Sequence, residues 1–149
     1  MYGDNVWQVE LPDLGDGVRG LRMERSEECP LVCAVWELAA GATLGPYHLH
    51  HGTDELLIVL RGRPTLRTPD GEHGLREGDV VAFPRGKEGA HQIKNGTDEP
   101  IRVLMLSTLI APDLVEYLDS GKIGARSVKG ERIMLARPGP ELDYWEGED

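Results

Sequence analysis

The sequence predicts an all-β chain folded as a closed sheet or jelly roll, and three observations carry that expectation. Strand-sized apolar runs recur at close spacing, turn residues separate them, and the 19 glycines and 10 prolines fall mostly between the runs rather than inside them. At 149 residues the chain suits one domain with a hydrophobic core. Residues 1–149 are therefore read as one unit, with a barrel over about 30–109, an arm over 1–29 and an extension over 110–149. Helix is expected only as a minor element.

The elements follow in order. The polar, Gly-rich arm carries an expected strand at 6–11. LVCAVWEL at 31–38 reads as a strand stopped by AAGATLGP, and 47–50 is a second extended piece. ELLIVLRG at 55–62 has the branched, apolar makeup of a buried strand and ends at a glycine. Residues 64–68 lead through the turn PDG at 69–71 to a brief return as far as Leu75. EGD at 77–79 feeds VVAF at 80–83, and the loop PRGKEG leads to AHQIK at 90–94. NGTDEP at 95–100 carries the Asn-Gly pair of a tight hairpin, followed by the last long strand, IRVLMLS at 101–107. Beyond Thr108 a short helix is expected over 112–118, with Pro112 at its first position and Gly121 past its end. The acidic close, PGPELDYWEGED, reads as a tail laid on the barrel or on a second copy.

Charge narrows the function. With 16 Lys and Arg against 26 Asp and Glu, the net charge of -10 repels phosphate backbones and anionic headgroups, which argues against nucleic acid and membrane as partners. The first residues are acidic where a secretory leader would be basic and then apolar, so a cytoplasmic location is expected. Cys29 and Cys33, in CPLVC, lie ~13 Å apart if extended, beyond disulfide reach, and are read as reduced thiols.

The chemistry concentrates in PYHLHHGTDE. On a strand, His48 and His50 share a face ~6.6 Å apart while Leu49 and His51 take the other, so two imidazoles can tilt onto one ion. Glu55 enters from the start of the following strand after a turn at Gly52 and Thr53. Imidazole nitrogens joined by a carboxylate oxygen, with no thiolate, suit Mn, Fe, Ni, Co or Zn better than Ca or Mg. His91 lies on another extended piece; His73, in the turn DGEHG, is read as a surface or satisfied core histidine and His51 as an outward-facing neighbour.

These residues carry a resemblance. HLHHGTDELLIVLRG matches the first cupin motif in every spacing, with Gly45 and Pro46 just ahead. Gly78, DVVAF, Pro84-Arg85-Gly86, His91 and Asn95 follow the second, except that four residues, KEGA, separate Gly86 from His91 where two are usual. The YLDSGKIG segment and YWEGE ending are also similar to a branch of small bacterial cupins. The resemblance implies a double-stranded β-helix holding one divalent metal ion in the barrel mouth through His48, His50, Glu55 and His91, to which the N-terminal arm and the short C-terminal helix and tail read above are added.

Four such ligands would leave two positions open for a small-molecule substrate. The expected function is a metalloenzyme of dioxygenase or isomerase type; the alternative is a non-catalytic, metal-dependent protein that binds or senses a small ligand, or a barrel the ion only stiffens. Arg22, Arg61, Arg67 and Arg102 are candidates to receive an anionic substrate, and Gln92 and Asn95 to support the ligands. Exposed sheet edges and the aromatic tail favour a homodimer.

Overall fold

The structure is a computed structural model and describes residues 5–23, 29–108, 110–127 and 131–148. Among these residues the strands are, in chain order, β1 (Val18–Arg22), β2 (Leu31–Leu38), β3 (Thr43–His50), β4 (Glu55–Arg61), β5 (Thr65–Thr68) and β6 (Gly71–Gly74). They continue as β7 (Val80–Phe83), β8 (His91–Lys94), β9 (Ile101–Thr108), β10 (Asp113–Tyr117), β11 (Lys122–Arg126) and β12 (Arg132–Ala136). The one helical element among them is a 3₁₀ turn at Lys87–Gly89. None of the described helical residues forms a helix long and apolar enough to cross a membrane.

One sheet has the order β1-β2-β9-β4-β7 and the other β12-β11-β10-β3-β8-β5-β6. All pairings are antiparallel. The chain passes back and forth between the two sheets, so side chains turned inward from both meet in one core: Leu38, Leu57, Ile101, Val103 and Met105 from the five-stranded sheet against Leu66 and Ile93 from the seven-stranded one. Period-two alternation drives this packing. In β4, Leu57 and Val59 are fully buried while Leu56, Ile58 and Leu60 are less so. The expected all-β jelly roll is the fold observed.

Three local expectations are corrected. Residues 6–11 form no strand, because Asn5 folds the chain into a turn: its Oδ1 accepts a hydrogen bond from Trp7 N at 2.8 Å, and its carbonyl accepts from the amides of Gln8 and Val9. The arm's strand is instead β1, which pairs with β2. Its Gly20 lies flat on the Trp36 ring, where a Cβ would come within 2.2 Å of a ring carbon.

The Asn95-Gly96 pair does not close a hairpin. Strand β8 belongs to the seven-stranded sheet and β9 to the five-stranded one, so 95–100 is a crossing between sheets. Asn95 is buried and holds that crossing together, its amide donating to the carbonyls of Leu38, Ala39 and Glu99 at 2.9 to 3.0 Å.

The expected helix at 112–118 is strand β10. Asp113, Val115 and Tyr117 line the barrel cavity while Leu114 faces solvent, the alternation of a half-buried strand. Proline at a first helical position is permitted, not directive, and pairing with β3 and β11 decides the outcome.

Candidate metal centre

Sheet register assembles the site. In β3, alternation turns His48 and His50 into the barrel cavity and leaves Tyr47 and Leu49 to pack with Ala90 on the other side. Strand β8 runs antiparallel beside β3 with His91 directly opposite His48. On the other flank, β10 sets Val115 opposite His50 and Tyr117 opposite His48. Three imidazoles thus come from one sheet, and the carboxylate comes from the facing one. Glu55 opens β4, and its Oε1 accepts a hydrogen bond from Ser107 Oγ, its cross-strand neighbour on β9, at 2.8 Å.

The other oxygen, Glu55 Oε2, lies 3.3 Å from His91 Nε2 and 3.5 Å from His50 Nε2. The His48 ring sits 4.6 Å from that of His91 and 5.0 Å from that of His50, centroid to centroid. One donor atom each from His48, His50 and Glu55 falls within 4.8 Å of the others. The structure therefore brings His48, His50 and Glu55 together as one candidate metal group, and sets His91 beside it, against Glu55 and the His48 ring.

Each imidazole is also held from behind. His48 Nδ1 lies 2.8 Å from the Pro46 carbonyl, His91 Nδ1 lies 2.9 Å from the Gly89 carbonyl, and His50 Nδ1 lies 2.5 Å from Asp113 Oδ2. With Nδ1–H donating to oxygen, the lone pair of each Nε2 is free to face the common centre. The Pro46 carbonyl is in reach because β3 bulges between Leu44 and His48, where Gly45 takes a φ of 70°. Phe83 stacks on the His91 ring at 3.9 Å and fixes its plane.

Electrostatics shifts these rings in different directions. Burial, then the neighbouring His91 and His50, push His48 down to about 4, so it is neutral at physiological pH. Burial likewise lowers His91, against the opposing pull of Glu55. For His50 burial acts in the same direction, but the hydrogen bond to Asp113 and the charge of Glu55 outweigh it and raise the ring. Burial pushes Asp113 up, but the hydrogen bond and charge of His50 together with hydrogen bonds from Gly52 and Thr53 outweigh it and hold the carboxyl below the ordinary carboxylate range.

The donor set fits a divalent transition ion. Glu55 Oε2 is buried without a hydrogen-bond partner, although an unpaired carboxylate oxygen is costly to bury. A cation between it and the imidazole nitrogens would supply the missing partner. Nitrogen donors with one hard oxygen and no sulfur match Mn, Fe, Co, Ni or Zn.

The two extra residues before His91 are absorbed locally. They form the 3₁₀ turn at Lys87–Gly89, pinned by Gly86 N donating to the His50 carbonyl at 2.7 Å. Asp54 anchors the same loop, accepting from Arg85 N at 2.9 Å and from its guanidinium at 2.7 Å. Gly89 fits only as glycine, since a Cβ there would lie 1.8 Å from the Pro84 carbonyl oxygen.

The four side chains open into a cavity of about 300 Å³ whose wall also includes Arg22, Trp36, Met105, Ser107, Tyr117 and Arg126. Of the four arginines proposed from sequence, only Arg22 lines it. Arg61 and Arg102 are held by Glu37, and Arg67 pairs with Asp119 at 2.7 Å and covers the Tyr47 ring. Gln92 donates to the Gly45 carbonyl and Asn95 staples its own loop, so neither touches the imidazoles. His51 faces outward against Glu116, and His73 is exposed on β6, as expected. Sequence reasoning missed Asp113, Tyr117 and Arg126. The first two stand at alternate positions of DLVEY, a signal of period two that the helix reading hid.

Comparison with known proteins agrees with this architecture. Residues 34–107 match the family described as Cupin domain. No curated protein matches the chain. Among solved structures, a sugar phosphate isomerase from a cupin superfamily of Silicibacter pomeroyi is 29% identical, with a TM-score of 0.75 over 87% of this chain and 82% of its own. A provisionally assigned sugar phosphate isomerase from Acidithiobacillus ferrooxidans is 28% identical, with a TM-score of 0.66 over 77% and 75% of the two chains. A Cupin 2 conserved barrel domain protein from Salinispora arenicola, 24% identical with a TM-score of 0.58 over 72% and 88%, shares the fold.

Proposed function

Since the chain belongs to the cupin superfamily, we propose that it is a metal-dependent enzyme of isomerase type, acting on a small phosphorylated, hydroxylated molecule of the sugar phosphate class. A divalent ion would be held by His48, His50 and Glu55, with His91 as the fourth ligand. The observation that carries this reading is that one cavity is lined both by the imidazole and carboxylate cluster and by two arginines, Arg22 from the five-stranded sheet and Arg126 from the seven-stranded one.

Among the described residues neither Arg22 nor Arg126 has a carboxylate within 4.0 Å, whereas Arg61, Arg67, Arg76, Arg85 and Arg102 are all paired. In a chain of net charge -10, two arginines at a cavity with no carboxylate partner among the described residues suit the reception of an anionic group. Likeness to the Silicibacter pomeroyi isomerase supports the substrate class.

When bound, the ion acts as a Lewis acid that polarises a carbonyl or hydroxyl oxygen of the substrate. The chain's own residues do the rest. Arg22 and Arg126 bind the anionic end and so set which carbons lie over the cluster. Asp113 fixes the His50 ring, and the Trp36 and Met105 side of the wall keeps bulk water away from the reacting end.

Elemental analysis of the purified protein, followed by NMR assay of aldose and ketose phosphates, tests this reading. The expected result is a bound transition metal and metal-dependent interconversion. A loaded protein that binds sugar phosphates without converting them would instead be the ligand-binding protein of the alternative reading, and one that ignores them would overturn the proposal.

A further inference from the structure

Trp36 is half-buried in the cavity wall, where the proposed chemistry gives it no task beyond excluding water. Its place follows from register. On β9 the inward positions run Ser107, Met105, Val103, and β2 sets Val32, Ala34 and Trp36 opposite them in that order. Ser107 also faces Glu55 on β4, so Trp36 stands four residues along the sheet from the carboxylate of the metal centre, ~13 Å at ~3.3 Å per residue. On its other side β1 sets Gly20 opposite Trp36 and Arg22 opposite Ala34. Arg22 is therefore a diagonal neighbour of Trp36 on the same inward face, roughly 7 to 8 Å away backbone to backbone.

Two details of the indole point to a ligand. A Cβ on Gly20 would fall 2.2 and 2.4 Å from Cε3 and Cζ3 of the ring, so any larger residue would drive the indole into the cavity. Glycine inside a strand gives up packing and stiffness, and here it keeps a flat aromatic surface back against the wall. The second detail is the N–H. Nε1 lies on the edge of the indole opposite Cε3 and Cζ3, turned away from β1, and among the described residues nothing accepts a hydrogen bond from it. A buried indole N–H ordinarily finds a partner.

We propose, resting on the sugar phosphate reading above, that Trp36 is the specificity-determining residue of the cavity. With the anionic group on Arg22, the neighbouring carbons lie with their C–H face on the indole while a hydroxyl among them accepts from Nε1. A sugar suits both parts of that surface, having apolar C–H faces and hydroxyl edges. The wall around the indole is otherwise apolar, with Leu44, Ile93 and Met105. Five- and six-carbon sugar phosphates are therefore preferred over three-carbon ones, which lack the carbons to cover the ring.

Fluorescence titration and kinetics on the metal-loaded protein test the proposal. Trp7 and Trp145, 55% and 69% exposed, are replaced by Phe, which leaves Trp36 as the one remaining tryptophan of three. Its emission should change on titration with aldopentose and aldohexose phosphates and stay nearly constant with glyceraldehyde 3-phosphate. In an otherwise unaltered chain, Trp36→Phe keeps an aromatic face without the N–H and Trp36→Leu removes both. KM for the best five- or six-carbon phosphate should rise about threefold and about tenfold respectively, with kcat held within about twofold. The emission reading needs no change at Trp36, so it decides even where a substitution disturbs the fold. A protein that neither binds nor converts any sugar phosphate sinks the isomerase reading and this proposal together. Conversion with a silent Trp36 and an unaltered KM in both variants overturns the specificity role alone, and so does a KM for glyceraldehyde 3-phosphate that rises as much as the others.

Discussion

Asp113 accepts a hydrogen bond from Nδ1 of His50 at 2.5 Å, although 63 positions separate the two residues in the chain. The contact exists because β10 pairs with β3, and it sets the tautomer of the imidazole that faces Glu55. Asp113 also accepts from Gly52 N at 3.0 Å, so the carboxylate ties the ring to the turn leading into β4. Asp113→Asn would place an amide N–H against Nδ1 and favour the tautomer whose proton blocks Nε2. Metal affinity is expected to fall about ten- to a hundredfold, measured by competition with a chromophoric chelator. Unchanged affinity would show that the His50 ring needs no such partner.

Glu55 Oε2 is the buried oxygen left without a hydrogen-bond partner. In Glu55→Gln the side-chain amide can donate to His50 or His91 Nε2, now 3.5 and 3.3 Å from that oxygen. The metal-free variant is expected to be more stable than the metal-free wild type by about 1 to 3 kcal/mol, the cost of an unsatisfied buried acceptor. Added metal then reverses the order. An ion at about a hundred times its Kd stabilises the wild type by about 2.7 kcal/mol, whereas the variant should hardly respond. Thermal melts with and without chelator read both effects, and a variant that still gains stability from metal would remove Glu55 from the ligand set.

How much of this was legible depended on whether the deciding interaction was local. The pairing of His48 with His50 on one face follows from strand period alone, and the approach of Glu55 follows from a short turn. That His91 stands opposite His48 needs the register of β8 on β3, which motif spacing supplied and composition could not. DLVEY is compatible with either a helix or a strand, and only its two neighbours β3 and β11 decide, so Asp113 and Tyr117 stayed hidden with it. Asn95-Gly96 is a local hairpin signal overridden by three backbone carbonyls that capture the Asn95 amide. Arg126 could not be told from any other arginine until β11 was placed beside the cavity.

The loop before His91 depends on Gly89. Gly89→Ala must displace the Pro84 carbonyl, because the new Cβ would stand 1.8 Å from its oxygen. Overpacking of this kind costs about 1 to 3 kcal/mol. The Gly89 carbonyl also orients His91, so metal affinity should drop together with the melting temperature. Full metal affinity in a destabilised Gly89→Ala protein would separate the loop from the site.

Asp54 gives the same loop a pH dependence. The backbone N–H of Arg85, then its guanidinium, hold the Asp54 carboxyl below the ordinary carboxylate range. A carboxyl lowered in the folded state stabilises the fold where the unfolded carboxyl is ionised, above about pH 3.9. The contribution is lost as the pH falls through the lower folded value. Asp54→Asn should therefore melt below the wild type near neutrality, and the gap should narrow progressively as the pH falls below about 3.9 and through the lower folded value. A gap that stays constant with pH would mean that Asp54 anchors the loop without its charge.

Arg22 and Arg126 stand in the cavity wall without a carboxylate within 4.0 Å among the described residues, and they test the substrate class separately from the metal. Hydrogen bonds to a charged group are worth about 1.5 to 3 kcal/mol, so Arg22→Gln should raise KM for a sugar phosphate about ten- to a hundredfold. Its kcat and metal content should change little, because Arg22 binds the end of the substrate that does not react. Arg126→Gln should show the same rise in KM together with a change at His50, whose ring Arg126 pushes toward the neutral form. Loss of that push favours the protonated ring, so the Arg126 variant alone should need a higher pH for half-maximal metal loading. If neither substitution alters KM while both leave the metal in place, the anion is received elsewhere and the phosphorylated substrate class falls, but the metal centre survives.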